Sequence, residues 1–189
     1  MQDRDQIIAR AALGLYVARG VRRTTMQDIA EAAGLTRQTV YNAFGNTDGV
    51  LKAAIHLYVD ELWQQVLTDW QSCETLELKL DVLLNRFAVD SWDFLNSSPQ
   101  AAELERGYNA AGRAAIAEAR EGFHPDIAAL FTPWAQRLEV FGTTPMGLAE
   151  HISFAVEGVK YNCDTRADLL RGLATLKAGV LALTAQIPA

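Results

Sequence analysis

Two helix-capping signals, Thr25 and Thr36, stand eleven residues apart with a lone glycine, Gly34, between them, and no other short feature of this chain restricts its fold so tightly. Thr25 can accept a bond from an orphan backbone N–H, and Asp28 three residues on completes the reciprocal capping-box pattern while suiting the positive helix end. Ile29, Ala30, Ala32 and Ala33 give the first helix a small apolar side that a second helix can approach closely. Gly34 falls where a left-handed C-terminal residue is needed. Leu35 is placed to fill the space beneath the turn, Thr36 opens the next helix, and Val40 with Phe44 supplies an apolar i, i+4 stripe. Residues 25–44 therefore read as two short helices joined by a tight turn.

The other side of the second helix carries Arg37, Gln38, Thr39, Tyr41 and Asn42. Arg can fork onto guanine, Gln or Asn onto adenine, and Thr and Tyr hydroxyls onto phosphate oxygens. A helix pair with a merely solvated polar face is the ordinary alternative, and the flanking sequence argues against it. The run Asp5 to Arg19 places Ile8, Ala12, Leu15 and Tyr16 close to the 3.6-residue period of a packed helix. Gly20 ends that run, and Val21, Arg22 and Arg23 lead into the cap at Thr25, giving a three-helix unit.

Over about residues 5 to 55 the chain resembles the tetracycline-repressor-like (TetR-like) transcriptional regulators, through LYVARGVRRTTMQDIAEAAGLTRQTVYNAFGNTDGVL in the family's order and spacing. The resemblance implies an all-α homodimer with a helix-turn-helix DNA-binding domain at residues 1–46. It also implies a helical ligand-binding and dimerisation domain at 47–189, with the helix 47–70 connecting the two. By the same resemblance Arg37, Gln38 and Thr39 contact bases, while Thr25, Thr36, Tyr41 and Asn42 grip phosphates or flanking bases. The implied partners are double-stranded operator DNA and a small-molecule effector. The chain departs from the family's common F-x-x-K pattern, having Phe44, Gly45, Asn46 and Thr47. A hydroxyl at Thr47 or the following helix N-terminus is then expected to meet phosphate in place of an ammonium group.

Charge follows the same division. Residues 1–52 hold 7 Lys or Arg against 5 Asp or Glu, a net of +2, whereas residues 53–189 hold 10 against 18, a net of −8. Phosphate neutralisation needs the basic part, and Arg22, Arg23 and Arg37 are the cations expected near DNA. No apolar run is long enough to span a bilayer and the N-terminus has no signal-like apolar core, so a cytoplasmic location is expected. Two cysteines, Cys73 and Cys163, exclude a disulfide scaffold.

Helix-period runs continue to the C-terminus. One is expected over 47–70 and another over 76–95. A third, 99–123, is interrupted by Gly107 and Gly112; a fourth opens at Pro125 and runs to about 138–140 with Pro133 as a candidate kink. The last two, 145–161 and 166–184, carry enough apolar residues to form a two-fold dimer surface, though part of each must face its own core. Trp63, Phe87, Trp92, Phe94, Tyr108, Trp134 and Phe154 are aromatic candidates for lining an effector cavity, with Asp90, His151 and Glu157 as its polar contacts. No GxSxG, HExxH, Walker A or GxGxxG motif occurs and the histidines show no i, i+4 pairing, so neither a catalytic role, a metal nor a cofactor is expected. A helical ligand-binding or adaptor protein without specific DNA recognition is the alternative reading.

Overall fold

The computed structural model describes residues 3–185. Among these, eleven α-helices and no strand occur: α1 Asp3–Arg19, α2 Met26–Ala33, α3 Arg37–Phe44, α4 Thr47–Trp70, α5 Leu76–Leu84, α6 Ser91–Leu95, α7 Pro99–Glu105, α8 Ala110–Phe131, α9 Ala135–Val140, α10 Pro145–Asn162 and α11 Arg166–Thr184. The chain divides into two compact units, one of Met1–Leu62 with Asp93–Ala119 and the other of Trp63–Trp92 with Arg120–Ala189. No helix among the described residues is long and apolar enough to cross a membrane.

The first unit is organised around α1. Ile8, Ala12 and Tyr16, one helical turn apart, are fully buried against Ile29 and Ala30 of α2, Val40 of α3, and Val50, Leu51 and Ala54 of α4. Leu104 of α7 and Ala115 of α8 complete this core. Each fully buried Ile, Leu or Val contributes about 1.5–3 kcal/mol by removal from water. The small residues matter as much as the large ones, because Ala12, Ala30 and Ala54 let helix backbones approach. Leu35 sits half-buried against the core under the α2–α3 turn, as its position in the sequence implies.

The second unit packs α5, α10 and α11 with the one-turn π-helix Asn85–Asp90. Leu80, Leu83, Phe131, Leu138, Leu148, Ile152, Leu169, Leu173 and Val180 are among its buried apolar side chains. Lys177 of α11 reaches Asp81 at 2.8 Å and Glu77 at 3.1 Å on α5, and Arg137 Nε donates to the carbonyl of Leu183 at 2.6 Å, where the α11 C-terminus leaves acceptors unpaired.

Two expected boundaries change, and the interruption expected at Gly107 is found. The run 76–95 is not one α-helix: it is interrupted by the π-helical turn at Asn85–Asp90. The run 99–123 breaks at residues 106–109, where Gly107 adopts φ 73° and Tyr108 φ 39°. A Cβ on Gly112 would lie 2.2 Å from the Gly107 carbonyl oxygen, so the α7–α8 corner closes only because that side chain is absent. Pro125, expected to open a helix, instead lies inside α8. An interior proline removes a backbone hydrogen bond; the helix nonetheless continues, with Ile127, Ala128 and Phe131 buried and Asp126 accepting the indole N–H of Trp63 at 3.0 Å.

Candidate nucleic-acid interface

Local hydrogen bonding explains why residues 25–47 adopt their shape. Thr25 is the N-cap of α2: its hydroxyl oxygen accepts the Asp28 N–H at 3.2 Å, and the Asp28 carboxylate accepts the Thr25 N–H at 2.8 Å and the Thr25 hydroxyl at 2.7 Å. These bonds, with the Arg19 guanidinium beside it, hold the Asp28 carboxyl below its ordinary pKa. Gly34 ends α2 at φ 68°, ψ 30°, a left-handed conformation costly for residues with a Cβ. Thr36 caps α3, accepting the Thr39 N–H at 3.1 Å, and its oxygen lies 2.8 Å from the Thr39 hydroxyl. Asn46 caps α4 by accepting the Gly49 N–H at 2.9 Å. The sequence reading missed this last cap; Asn three residues before the N–H it receives was the available signal.

Seven of the eight residues expected to meet DNA are exposed: Thr25, Thr36, Arg37, Gln38, Tyr41, Asn42 and Thr47. Thr39 is half-buried. Val40 is fully buried on the opposite side of α3, so one side of this helix is anchored and the other stays open to solvent. The open side is pre-ordered by two i, i+4 pairs. Arg37 donates to the Tyr41 hydroxyl at 3.2 Å with its guanidinium 5.2 Å from the ring centre, and the Gln38 amide donates to Asn42 Oδ1 at 2.8 Å. Tyr41 keeps its own O–H proton for an outside acceptor, and Asn42 keeps its amide protons. The Thr25 proton, by contrast, is committed to Asp28, so a phosphate contact there needs that proton to turn away.

The ten residues considered for an effector cavity are divided between the two units, Phe94 and Tyr108 in the first and the other eight in the second. Tyr58 and Phe94 pair at 5.8 Å in the first unit, where Phe94 packs on the helical core and Tyr108 is exposed on the α7–α8 corner. In the second unit Trp63 stacks on Phe123 at 4.5 Å and contacts Phe87 and Trp70. Asp90 pairs with Arg86, Glu157 with Arg120, and Arg120 lies over the ring of Phe154, which is 59% exposed. His151 is exposed, while Trp92 and Trp134 are half-buried. Phe123 belongs to this aromatic region and escaped the sequence reading. His124 is buried, and its Nε2 has no hydrogen-bond partner among the described residues.

Residues 8–54 match the model for bacterial regulatory proteins of the tetR family. The chain is 30% identical over 101 residues to an uncharacterized HTH-type transcriptional regulator of Mycobacterium tuberculosis, an alignment covering 53% of this chain and 52% of that protein. It thus spans about half the length of the curated relatives it matches. Among solved structures, the fatty acid degradation regulator FadR from Bacillus halodurans is similar with a TM-score of 0.66 and 17% identity, covering 96% of each chain. FadR from Bacillus subtilis in complex with stearoyl-CoA is similar with a TM-score of 0.64 and 20% identity, covering 92% of this chain and 97% of that one. At these identities the structural likeness is one of fold.

Proposed function

We propose that this chain, which belongs to the tetR family of bacterial regulatory proteins through its residues 8–54, is a homodimeric operator-binding repressor released by a small-molecule effector. The observation that carries the DNA reading is the outer side of α3. There Arg37, Gln38, Tyr41 and Asn42 are exposed, paired with one another and backed by buried Val40. Side chains held in this way lose less freedom on meeting base edges. We assign DNA binding to residues 1–46, and effector binding and dimerisation to residues 47–189.

Dimerisation through α10 and α11 is supported by what those helices leave uncovered. Their inward residues Leu148, Ile152, Leu169, Leu173 and Val180 are used within the chain. The outward residues Met146, Phe154, Tyr161 and Leu170, with small Ala167, Ala174, Ala178 and Ala182, are exposed. An apolar surface with small residues suits a second copy packed by two-fold symmetry, and two recognition helices so related can read half-sites about 34–36 Å apart.

For the effector, the aromatic group Trp63, Trp70, Phe87 and Phe123, together with His124, supports a ligand with an apolar body and a group able to bond an imidazole. A buried polar atom without a partner has a desolvation cost that such a ligand offsets. Trp63 and Trp70 lie toward the C-terminal end of α4, and Thr47 lies at its start. That single helix is the proposed route from ligand to DNA, and the coupling must be reciprocal.

The test is a mobility-shift assay on the DNA upstream of the protein's own gene and on a pool of random duplexes. Sequence-selective, salt-sensitive binding weakened by Arg37→Ala and by Tyr41→Ala supports the proposal. No sequence preference from the random pool would overturn it in favour of a helical ligand-binding or adaptor protein.

A further inference from the structure

The helix-turn-helix itself is short of positive charge. Residues 24–49 contain one cation, Arg37, against three acids, Asp28, Glu31 and Asp48, and the next cation, Lys52, is paired with Glu118 at 2.7 Å. Within the same compact unit a cleft of about 620 Å³ is lined by five arginines and one glutamate. Arg19, Arg22 and Arg23 form one wall, from the end of α1 and the 3-10 turn Val21–Arg23; Arg106 and Arg113, from the α7–α8 corner, form the other. Arg19 is engaged by Asp28. Arg22, Arg23, Arg106 and Arg113 are exposed and make no ion pair among the described residues.

Three bonds fix this cleft beside the proposed DNA-facing elements. The Glu103 carboxylate accepts the Val21 N–H at 3.1 Å, which turns the cleft's acidic group toward the backbone and holds α7 on the turn that enters the Thr25 cap. Asn109 donates to Asp48 at 2.8 Å and accepts the Gly112 N–H at 3.0 Å, which ties the start of α8 to the start of α4. The cationic cleft is therefore attached at one side to the start of α2 and at the other to the start of α4.

We infer that this cleft is a second phosphate-binding surface, in which Arg106 and Arg113, far outside the helix-turn-helix in sequence, join Arg22 and Arg23 in gripping the DNA backbone that flanks the bases read by α3. Guanidinium groups fork onto phosphate oxygens, and four of them compensate the acidity of residues 24–49. This inference rests on the DNA-binding reading above and extends its footprint.

The test measures binding of the selected operator by fluorescence anisotropy against salt, using a duplex with long flanks, for the full chain and for Arg106→Ala/Arg113→Ala. Each lost phosphate contact lowers the slope of log K against log[salt] by about 0.9, so the double variant, which removes two contacts from each protomer of the proposed dimer, should lose about 3.6 in slope and about tenfold or more in affinity, with unchanged sequence preference. Arg106→Lys/Arg113→Lys should retain most of the slope, which separates charge from packing, and thermal unfolding of each variant verifies the fold. An unchanged slope in the double alanine variant, with Arg37→Ala still weakening binding and relaxing its sequence preference, would overturn the inference while leaving the DNA-binding reading intact. Saturable binding of tripolyphosphate lost in the same variant, again with unchanged DNA slope, would overturn it by giving the cleft to a small polyanion. Absence of selective DNA binding by the parent protein would sink both readings together.

Discussion

Arg19 Nη2 lies 3.2 Å from Asp28 Oδ1, so the last residue of α1 holds the carboxylate that closes the capping box of α2. Asp28 thereby has two duties: one oxygen binds Thr25, and the other faces the guanidinium. The orientation of α2 on α1 is thus set by charge as well as by the burial of Ile29 and Ala30, and it passes directly to Thr25 on the proposed DNA-facing surface.

A pH dependence follows. The Thr25 bonds first, and Arg19 next, lower the folded-state pKa of Asp28 from its ordinary 3.8. A depressed carboxyl contributes stability that is fully present above the unfolded value and is lost as pH falls through the folded one. Urea unfolding between pH 6 and pH 2.5 should therefore show an acid-labile component that Asp28→Asn removes. Thr25→Ala should cost on the order of 1 kcal/mol at neutral pH, the usual worth of an N-cap. Identical acid limbs for the parent and Asp28→Asn would show that the box is not a source of acid lability.

A second prediction concerns the pairing on α3. Tyr41→Phe keeps the ring beneath Arg37 but removes the hydroxyl that accepts from it at 3.2 Å. Operator affinity should fall by about 1 kcal/mol, the value of an ordinary hydrogen bond, without relaxing the preferred sequence. Arg37→Ala should cost about 1–3 kcal/mol and relax the preference at one base pair, as expected for a guanine contact. Binding-site selection on both variants separates the two outcomes; an unaltered preference in Arg37→Ala would place that side chain on phosphate instead.

The caps were legible because they depend on side chains and backbone within three or four residues: Thr25 with Asp28, Gly34, and Thr36 with Thr39 all occur where spacing puts them. The exposure of Arg37, Gln38, Tyr41 and Asn42 was legible because Val40 and Phe44 determine which side of α3 is buried. What the sequence concealed depends on distant partners. Pro125 lies inside α8 next to Asp126, which Trp63, far away in the chain, bonds, and no local rule for proline contains that contact. The basic cleft was invisible for the same reason: Arg106 and Arg113 meet Arg22 and Arg23 only because Glu103 and Asn109 fasten their corner to Val21 and Asp48.

That corner yields a third prediction. Gly112→Ala would put a methyl group 2.2 Å from the Gly107 carbonyl, an overlap with backbone that no rotamer relieves. The variant should lose roughly 1–3 kcal/mol of stability in denaturant unfolding, the range for overpacking. Alanine is a better helix former than glycine by about 1 kcal/mol, so a helix lacking this contact would instead gain stability. The sign of the change decides between the two.

The proposed dimer surface gives the fourth. Ala174 is exposed in the single chain while Leu173 beside it is buried, so Ala174→Glu leaves the chain's own core untouched and inserts a charge where a second copy is expected. Helical circular dichroism should be unchanged, and light scattering coupled to gel filtration should report a mass near 20.7 kDa in place of twice that value. Burying an unpaired carboxylate twice in a symmetric interface costs several kcal/mol, which is enough to dissociate a micromolar dimer. The same variant should bind a two-half-site operator with a steeper dependence on protein concentration and much weaker apparent affinity, because each monomer then has to find its half-site alone. A variant that keeps the parent mass would exclude this part of α11 from the interface. The exposed aromatic Phe154 on α10, reached by Arg120, would then be the next position to charge.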